Sequence, residues 1–183
     1  MSNKEGGFKL IGLVMIFSLL IALLWDQISW LKDSIHAILN PTAGFLLEWN
    51  LTLGMLIIVL VISFLTTIVQ KYATDQKALK ELKKEQKILK EEMDKVKNHP
   101  EKYLALQKKQ MAEMPETFKR TMTLSSRAMV YTAVPFILFF RWFNDYFTAT
   151  GNPVFLGFMG WFVFYLITTL IFSGIIKKYM DVV

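Results

Sequence analysis

LTLGMLIIVLVISFLTTIV fills positions 51–69 without one charge, and Gln70-Lys71 then open a segment crowded with cations. Residues 70–127 hold fifteen of the chain's twenty-one Lys and Arg residues. Uncharged runs return beyond that segment, at 128–140 and 154–176. Stretches this long and this apolar are too costly to leave in water, and they read as helical membrane spans. The pattern therefore predicts an all-α membrane protein: a small transmembrane helix bundle holding a basic module on one side. Core spans are expected at 51–70, 127–147 and 153–176, with a hairpin at 71–126 between the first two.

A further apolar run, 10–24, follows Lys4 and Lys9. Its length suits the core of a secretory signal peptide, but it ends in Trp25-Asp26-Gln27, without the small residues a peptidase needs. Apolar positions then continue at Trp25, Ile28, Leu31, Ile35 and Ile38, three or four apart. An uncleaved signal-anchor-like span running into an interfacial amphipathic helix is the favoured reading for residues 1–41; cleavage is the alternative. The core occupies 42–183.

Positive charge sets the expected orientation. With four spans, the N-terminus, the hairpin and the tail after Ile176 share a side and hold nineteen of the twenty-one cations. That side is expected to be the cytoplasm, with both termini in it. The segment 26–50 carries only Lys32 against three acids, and Trp25, Trp30, Trp49 and Trp142 fall where an outer aromatic belt would lie.

Within the hairpin, Leu79, Leu82, Gln86, Leu89, Met93 and Val96 alternate gaps of three and four, the heptad rule of a coiled coil. Asn98-His99-Pro100 closes one helix and opens another. Leu104, Gln107, Met111 and Met114 repeat the spacing up to Pro115, so an antiparallel coiled-coil hairpin is expected, its first helix continuing from the span before it. Met93, Met111, Met114 and Met122 are candidates for a flexible apolar surface that accepts varied clients.

Polar residues in the spans fall at one depth. Ser63, Thr66, Thr67 and Gln70 end the first core span, Thr132 lies early in the second, and Thr168, Thr169 and Ser173 come late in the third. Hydroxyls in membrane helices often bond their own backbone or join neighbouring helices. Their shared depth on three helices instead predicts a hydrophilic groove open to the hairpin side, with Lys71 and Arg127 at its mouth. The opposite halves are almost wholly apolar. Between Arg127 and Arg141 lie thirteen uncharged residues, about 20 Å of helix against a bilayer core of about 30 Å. Arg141 is therefore expected to snorkel outward beside Asp145, or the bilayer to thin there.

Composition narrows the chemistry. With no cysteines, disulfides, thiolate zinc sites and cysteine nucleophiles are excluded. No nucleophile–base pair, carboxylate dyad, phosphate loop or metal-ligand spacing occurs, and His36 and His99 belong to opposite sides of the expected bundle. No enzyme activity, cofactor or metal is expected.

Gln70-Lys71-Tyr72-Ala73-Thr74-Asp75 at the end of a span, Gln107-Lys108-Lys109-Gln110-Met111 in the hairpin, Pro135-Phe-Ile-Leu-Phe-Phe-Arg-Trp142, and Gly160-Trp161 through Phe172-Ser173 followed by Lys177-Lys178 resemble the archaeal YidC-like proteins. These form a branch of the YidC/Oxa insertase superfamily, whose eukaryotic relatives include a core subunit of the ER membrane protein complex and the tail-anchor receptor subunit of the Get pathway. The resemblance covers about residues 42–181. It implies three core spans around a cytoplasmic hairpin and insertion of membrane proteins through a cytoplasm-facing groove. It also implies nascent membrane proteins and the lipid bilayer as partners, the ribosome or Sec translocon as partners of some members, and no DNA. Many members carry a groove arginine; the matching positions here, Gln70 and Thr169, are uncharged, and Lys71 and Arg127 are the available substitutes. The expected function is a membrane insertase and chaperone of the cell membrane. An oligomeric cation channel and a coiled-coil tether are the rivals.

Overall fold

The computed structural model describes residues 3–182, with side chains described from Ile11 onward. Lys4 and Lys9, counted above toward orientation, lie outside the described side chains. The chain is helical throughout: α1 (Asn3–Leu23), α2 (Ser29–Leu39), a π-helical turn (Asn40–Gly44), α3 (Phe45–Trp49), α4 (Leu51–Ala73), α5 (Gln76–Lys95), α6 (Pro100–Ala149) and α7 (Trp161–Met180). Among these, α4, α6 and α7 are long and apolar enough to cross a membrane, whereas Ile11–Leu23 in α1 is a shorter apolar stretch. The protein is an integral membrane protein.

α4 stands at the centre, packed on α3, α6 and α7, while α1 and α2 rest on α6. One end of the bundle is filled by a dense apolar cluster. Met55, Ile58 and Val59 of α4 meet Trp142, Phe143 and Phe147 of α6, Phe164 and Tyr165 of α7, and Leu47 of α3. The α6–α7 turn adds Phe155, fully buried and stacked on Phe164 at 4.6 Å between ring centres. Gly151 and Gly157 make that turn possible, both at φ +83°, where a side chain would be strained.

The hairpin lies at the other end. α5 and the first half of α6 pack against each other, with Leu82, Gln86 and Leu89 opposite Gln110, Met114 and Thr117. The reversal occupies residues 96–99, and Pro100 takes the first helical position of α6. At the hairpin base Lys80 holds Asp181, whose carboxyl stays below its ordinary pKa through the Lys80 hydrogen bond and charge.

Two junctions differ from the sequence reading. α4 does not run on into α5, because Thr74 is extended and Asp75 caps α5 by accepting from the Ala78 N–H at 3.1 Å. The side chains of Thr74 and Gln76 in turn donate to the Gln70 carbonyl at 2.5 and 3.0 Å, alongside the Thr74 N–H at 3.2 Å, so the end of α4 is tied to the junction itself. A polar cap thus breaks a helix where no Gly or Pro does. Conversely, α6 does not stop at Pro115. It continues through Pro115 and Pro135 for 50 residues, about 75 Å. Each proline removes one helical N–H, so the carbonyls of Met111 and Tyr131 lose their usual partner. We expect Asp75→Ala to cost about 1 kcal/mol, a usual value for a lost cap, read as faster amide exchange over the first turn of α5. Unchanged protection there would show that the cap does not hold the break.

The far end of α6 binds the N-terminal segment through charge. Asp145 accepts from Trp25 Nε1 at 2.7 Å and faces His36 Nε2 at 3.2 Å and Lys32 Nζ at 3.4 Å. Lys32 also bonds Asp26 at 2.6 Å, and that bond leads in holding its ammonium above the ordinary pKa. Arg141 does not snorkel beside Asp145. It turns to Asp26 at 3.6 Å and lies 5.8 Å from the centre of the Trp25 ring. Trp25 and Trp142 are buried, Trp142 donating to Asn40 Oδ1 at 2.9 Å, and so belong to the core rather than an outer belt. Trp30 and Trp49 are exposed. We expect Asp145→Ala to lower the thermal midpoint in detergent by about 5 °C, since bonds to a charged acceptor are each worth about 1.5–3 kcal/mol. A midpoint unmoved within error would mean these contacts do not fasten the segment.

Candidate functional site

Below the aromatic cluster, on the hairpin side, α4, α6 and α7 separate around an open cavity of about 420 Å³. α4 and α7 each present one i, i+4 stripe to it, and α6 a broader face. α4 contributes Ile62, Thr66 and Gln70, and α7 contributes Tyr165, Thr169 and Ser173. α6 contributes Met129, Thr132, Ala133 and Phe136, while Ile11, Val14 and Met15 of α1 complete the wall. The lining is uncharged.

The hydroxyls are held in two ways. Thr66 donates to Ile62 O at 2.8 Å and Thr132 to Ala128 O at 2.9 Å, which fixes their rotamers and leaves the oxygen lone pairs free to accept. Thr169 Oγ1 has no hydrogen-bond partner although it is shielded from bulk solvent. A buried hydroxyl left so costs about 1–3 kcal/mol, and a water or a guest polar group in the cavity would recover it. The cavity is roomy enough for several waters, which could bond where the hydroxyls and Gln70 cluster. At its far end it meets Tyr165 and Phe136, 6.3 Å apart between ring centres, and the aromatic cluster beyond. The arrangement is a mainly apolar pocket carrying five polar side chains at one level, with an aromatic stop.

Five of the ten groove candidates line this cavity: Thr66, Gln70, Thr132, Thr169 and Ser173. The other five do not. Ser63, Thr67 and Thr168 are buried on the neighbouring stripes, rotated by about 100° from the lining residues, as successive residues on a helix are. Thr67 bonds Ser63 O at 2.7 Å and Thr168 bonds Phe164 O at 2.7 Å, so both satisfy their own backbone within the packed bundle. Arg127 lines a separate depression with Tyr72, Thr74, Asp75 and Thr123, and Lys71 is exposed off the cavity. Among the described residues, no cation lines the cavity where the resemblance would put an arginine. The four methionines divide as well. Met93 is buried in the hairpin, Met122 is half-buried, and Met111 and Met114 are exposed.

Sequence reasoning missed the walls. Ile62, Met129 and Ala133 look like any apolar span residue, and no signal marks them. α1 contributes through Ile11, Val14 and Met15, spaced i, i+3, i+4, but α1 is apolar all round, so its spacing singles out no face.

A family model described as integral membrane protein EMC3/TMCO1-like matches residues 37–158, two thirds of the chain. The chain belongs to this family. It is thereby a member of the YidC/Oxa1/Alb3 insertase superfamily. Neither the curated proteins nor the solved structures give a match. The EMC3/TMCO1-like match takes in α3 through α6 with the end of α2, and so includes the α4 and α6 walls of the cavity, whereas α1 and α7 lie outside it.

Proposed function

We propose that this EMC3/TMCO1-like protein is a membrane insertase that works without covalent chemistry. The observation that carries the reading is the cavity: Thr66, Gln70, Thr132, Thr169 and Ser173 gathered from three spans, toward the hairpin end of the bundle and stopped by aromatics at the other. A pocket that carries polar side chains part-way into the apolar bundle shortens the distance over which a client's hydrophilic flank must cross hydrocarbon. The flank is solvated by the hydroxyls while the apolar segment moves sideways into lipid. Burying about twenty apolar residues is itself favourable, so no nucleotide is required.

The finer expectations belong to the same proposal. The cation bias puts the hairpin and both termini in the cytoplasm of a cell membrane, with α1 as an additional span. The α5–α6 pair acts as a coiled-coil hairpin, and exposed Met111 and Met114 meet emerging apolar segments. Nascent membrane proteins are the clients, the basic hairpin face suits a ribosome or an anionic lipid surface, and the Sec translocon is a candidate neighbour. A channel needs polar lining through its whole depth, and the aromatic cluster argues against that. Reconstitution with a short single-span client is the test: protease-protected insertion should exceed that of protein-free vesicles several-fold. Equality with protein-free vesicles sinks the insertase reading.

A further inference from the structure

Arg127 takes no part in the cavity above and is set in a cleft of its own. That cleft, of about 410 Å³, lies between the α4–α5 junction, which offers Tyr72 and Asp75, and α6, which offers Thr123, Leu124 and Arg127. Among the described residues Arg127 makes no ion pair or hydrogen bond, whereas Arg120 faces Glu116 and Arg141 faces Asp26, each at 3.6 Å. Its planar fork of donors is unused. Asp75 gives one carboxylate oxygen to the Ala78 N–H, 3.1 Å away, as the cap of α5, and its other oxygen has no partner among the described residues. A cation and a carboxylate thus share one cleft without pairing with each other. The spans set the level of this cleft. Residues 51–69 and 128–140 are uncharged, so Tyr72 and Arg127 stand just where α4 and α6 leave hydrocarbon. Tyr72 is exposed there, as tyrosines of the headgroup layer are.

We propose that the cleft binds the headgroup of a zwitterionic aminophospholipid, with the phosphate on Arg127 and the primary ammonium on Asp75. Two opposite charges held in one cleft without meeting are the complement of a ligand that carries both signs. The guanidinium fork matches two phosphate oxygens at once. The Tyr72 hydroxyl, which has no partner among the described residues, is a further donor to the phosphate. An ammonium brings three N–H donors, one of which suits the carboxylate oxygen that the α5 cap leaves open. A choline head has no N–H to donate, and a glycerol head has no positive charge, so either would leave Asp75 unmatched. The headgroup level fixes the source as a lipid, whose acyl chains run on into hydrocarbon beside the spans. A lipid held there bridges α4, α5 and α6 at the break between bundle and hairpin. Neither Arg127 nor Asp75 lines the insertion cavity, so this site goes beyond the insertase reading and does not depend on it.

Native mass spectrometry of the full-length protein reads the occupant. The protein is released from micelles holding equal amounts of phosphatidylethanolamine, phosphatidylcholine and phosphatidylglycerol with the same acyl chains. Phosphatidylethanolamine should be retained at least about fivefold over either of the others. Arg127→Gln should lower that retention about tenfold, the effect of losing one hydrogen bond to a charged group. Asp75→Asn keeps a side chain that caps α5 well but removes its charge. It should melt like the unaltered protein and hold phosphatidylethanolamine no better than phosphatidylcholine. Inorganic phosphate added before release should not displace the lipid. Equal retention of the three lipids, unaltered retention in either variant, or displacement by inorganic phosphate overturns the aminophospholipid site. None of these outcomes touches the insertase reading, which the vesicle assay tests separately.

Discussion

Gln70→Leu, Thr132→Val and Thr169→Val combined are expected to cut insertion of a short single-span client at least tenfold, while Thr67→Val with Thr168→Val leaves it within about twofold. The two sets have the same chemistry and nearly the same depth. They differ in azimuth, since the first lines the cavity and the second lies in packed helix contacts where each hydroxyl bonds its own backbone. Each polar group offered to a client flank is worth about 0.5–1.5 kcal/mol, so three together approach two orders of magnitude. The main-chain carbonyl of Gln70, which takes the Thr74 and Gln76 bonds, is untouched. Protease-protected insertion in vesicles, with a melting curve to establish that each variant folds, checks the expectation. A folded triple variant that inserts at the normal rate would remove the groove from the mechanism.

Gly54→Ala should be the most damaging single methyl in the molecule. α3 crosses α4 at Gly54 so closely that a Cβ there would sit 2.1 Å from the Leu46 carbonyl oxygen and 2.9 Å from the Leu47 nitrogen. Those are backbone atoms and cannot rotate away, so α3 would have to lift, withdrawing Leu47 and Ala43 from the aromatic cluster. Overpacking of this kind costs about 1–3 kcal/mol even where side chains can yield. Against backbone we expect at least about 3 kcal/mol, a fall of roughly 10 °C in the thermal midpoint. Gly12→Ala and Gly174→Ala are the controls, with nothing within 4 Å of the added atom. They should be neutral or stabilise their helices by up to about 1 kcal/mol. Equal melting of Gly54→Ala and the controls would contradict the close crossing.

The three glycines show where a linear reading stops. Gly12, Gly54 and Gly174 each sit in an apolar run, and nothing in the sequence distinguishes the one whose missing side chain admits another backbone. The arginines give the same lesson. Arg141 was read against its neighbour Asp145, one turn away, yet its partner is Asp26, far off in the chain. The α4–α5 break was invisible to a search for Gly and Pro because a carboxylate cap made it. For the cavity, the sequence could group the hydroxyls along the spans but could not give their direction: half of the chosen residues line it and half face elsewhere.

The amino-acid sequence by itself determined that this is a helical membrane protein, how many long spans its core has, that a basic paired-helix segment divides them, and that polar groups concentrate at one level. Those properties follow from the cost of transferring each residue into hydrocarbon and from the period of a helix, both local along the chain. Only the tertiary structure decided which stripe of each span faces the cavity, that α1 closes one wall, and that Asp26 and Asp145 fasten the N-terminal segment to α6. Those depend on how each helix is rotated and crossed against its neighbours, and that rotation is set by packing between residues distant in sequence.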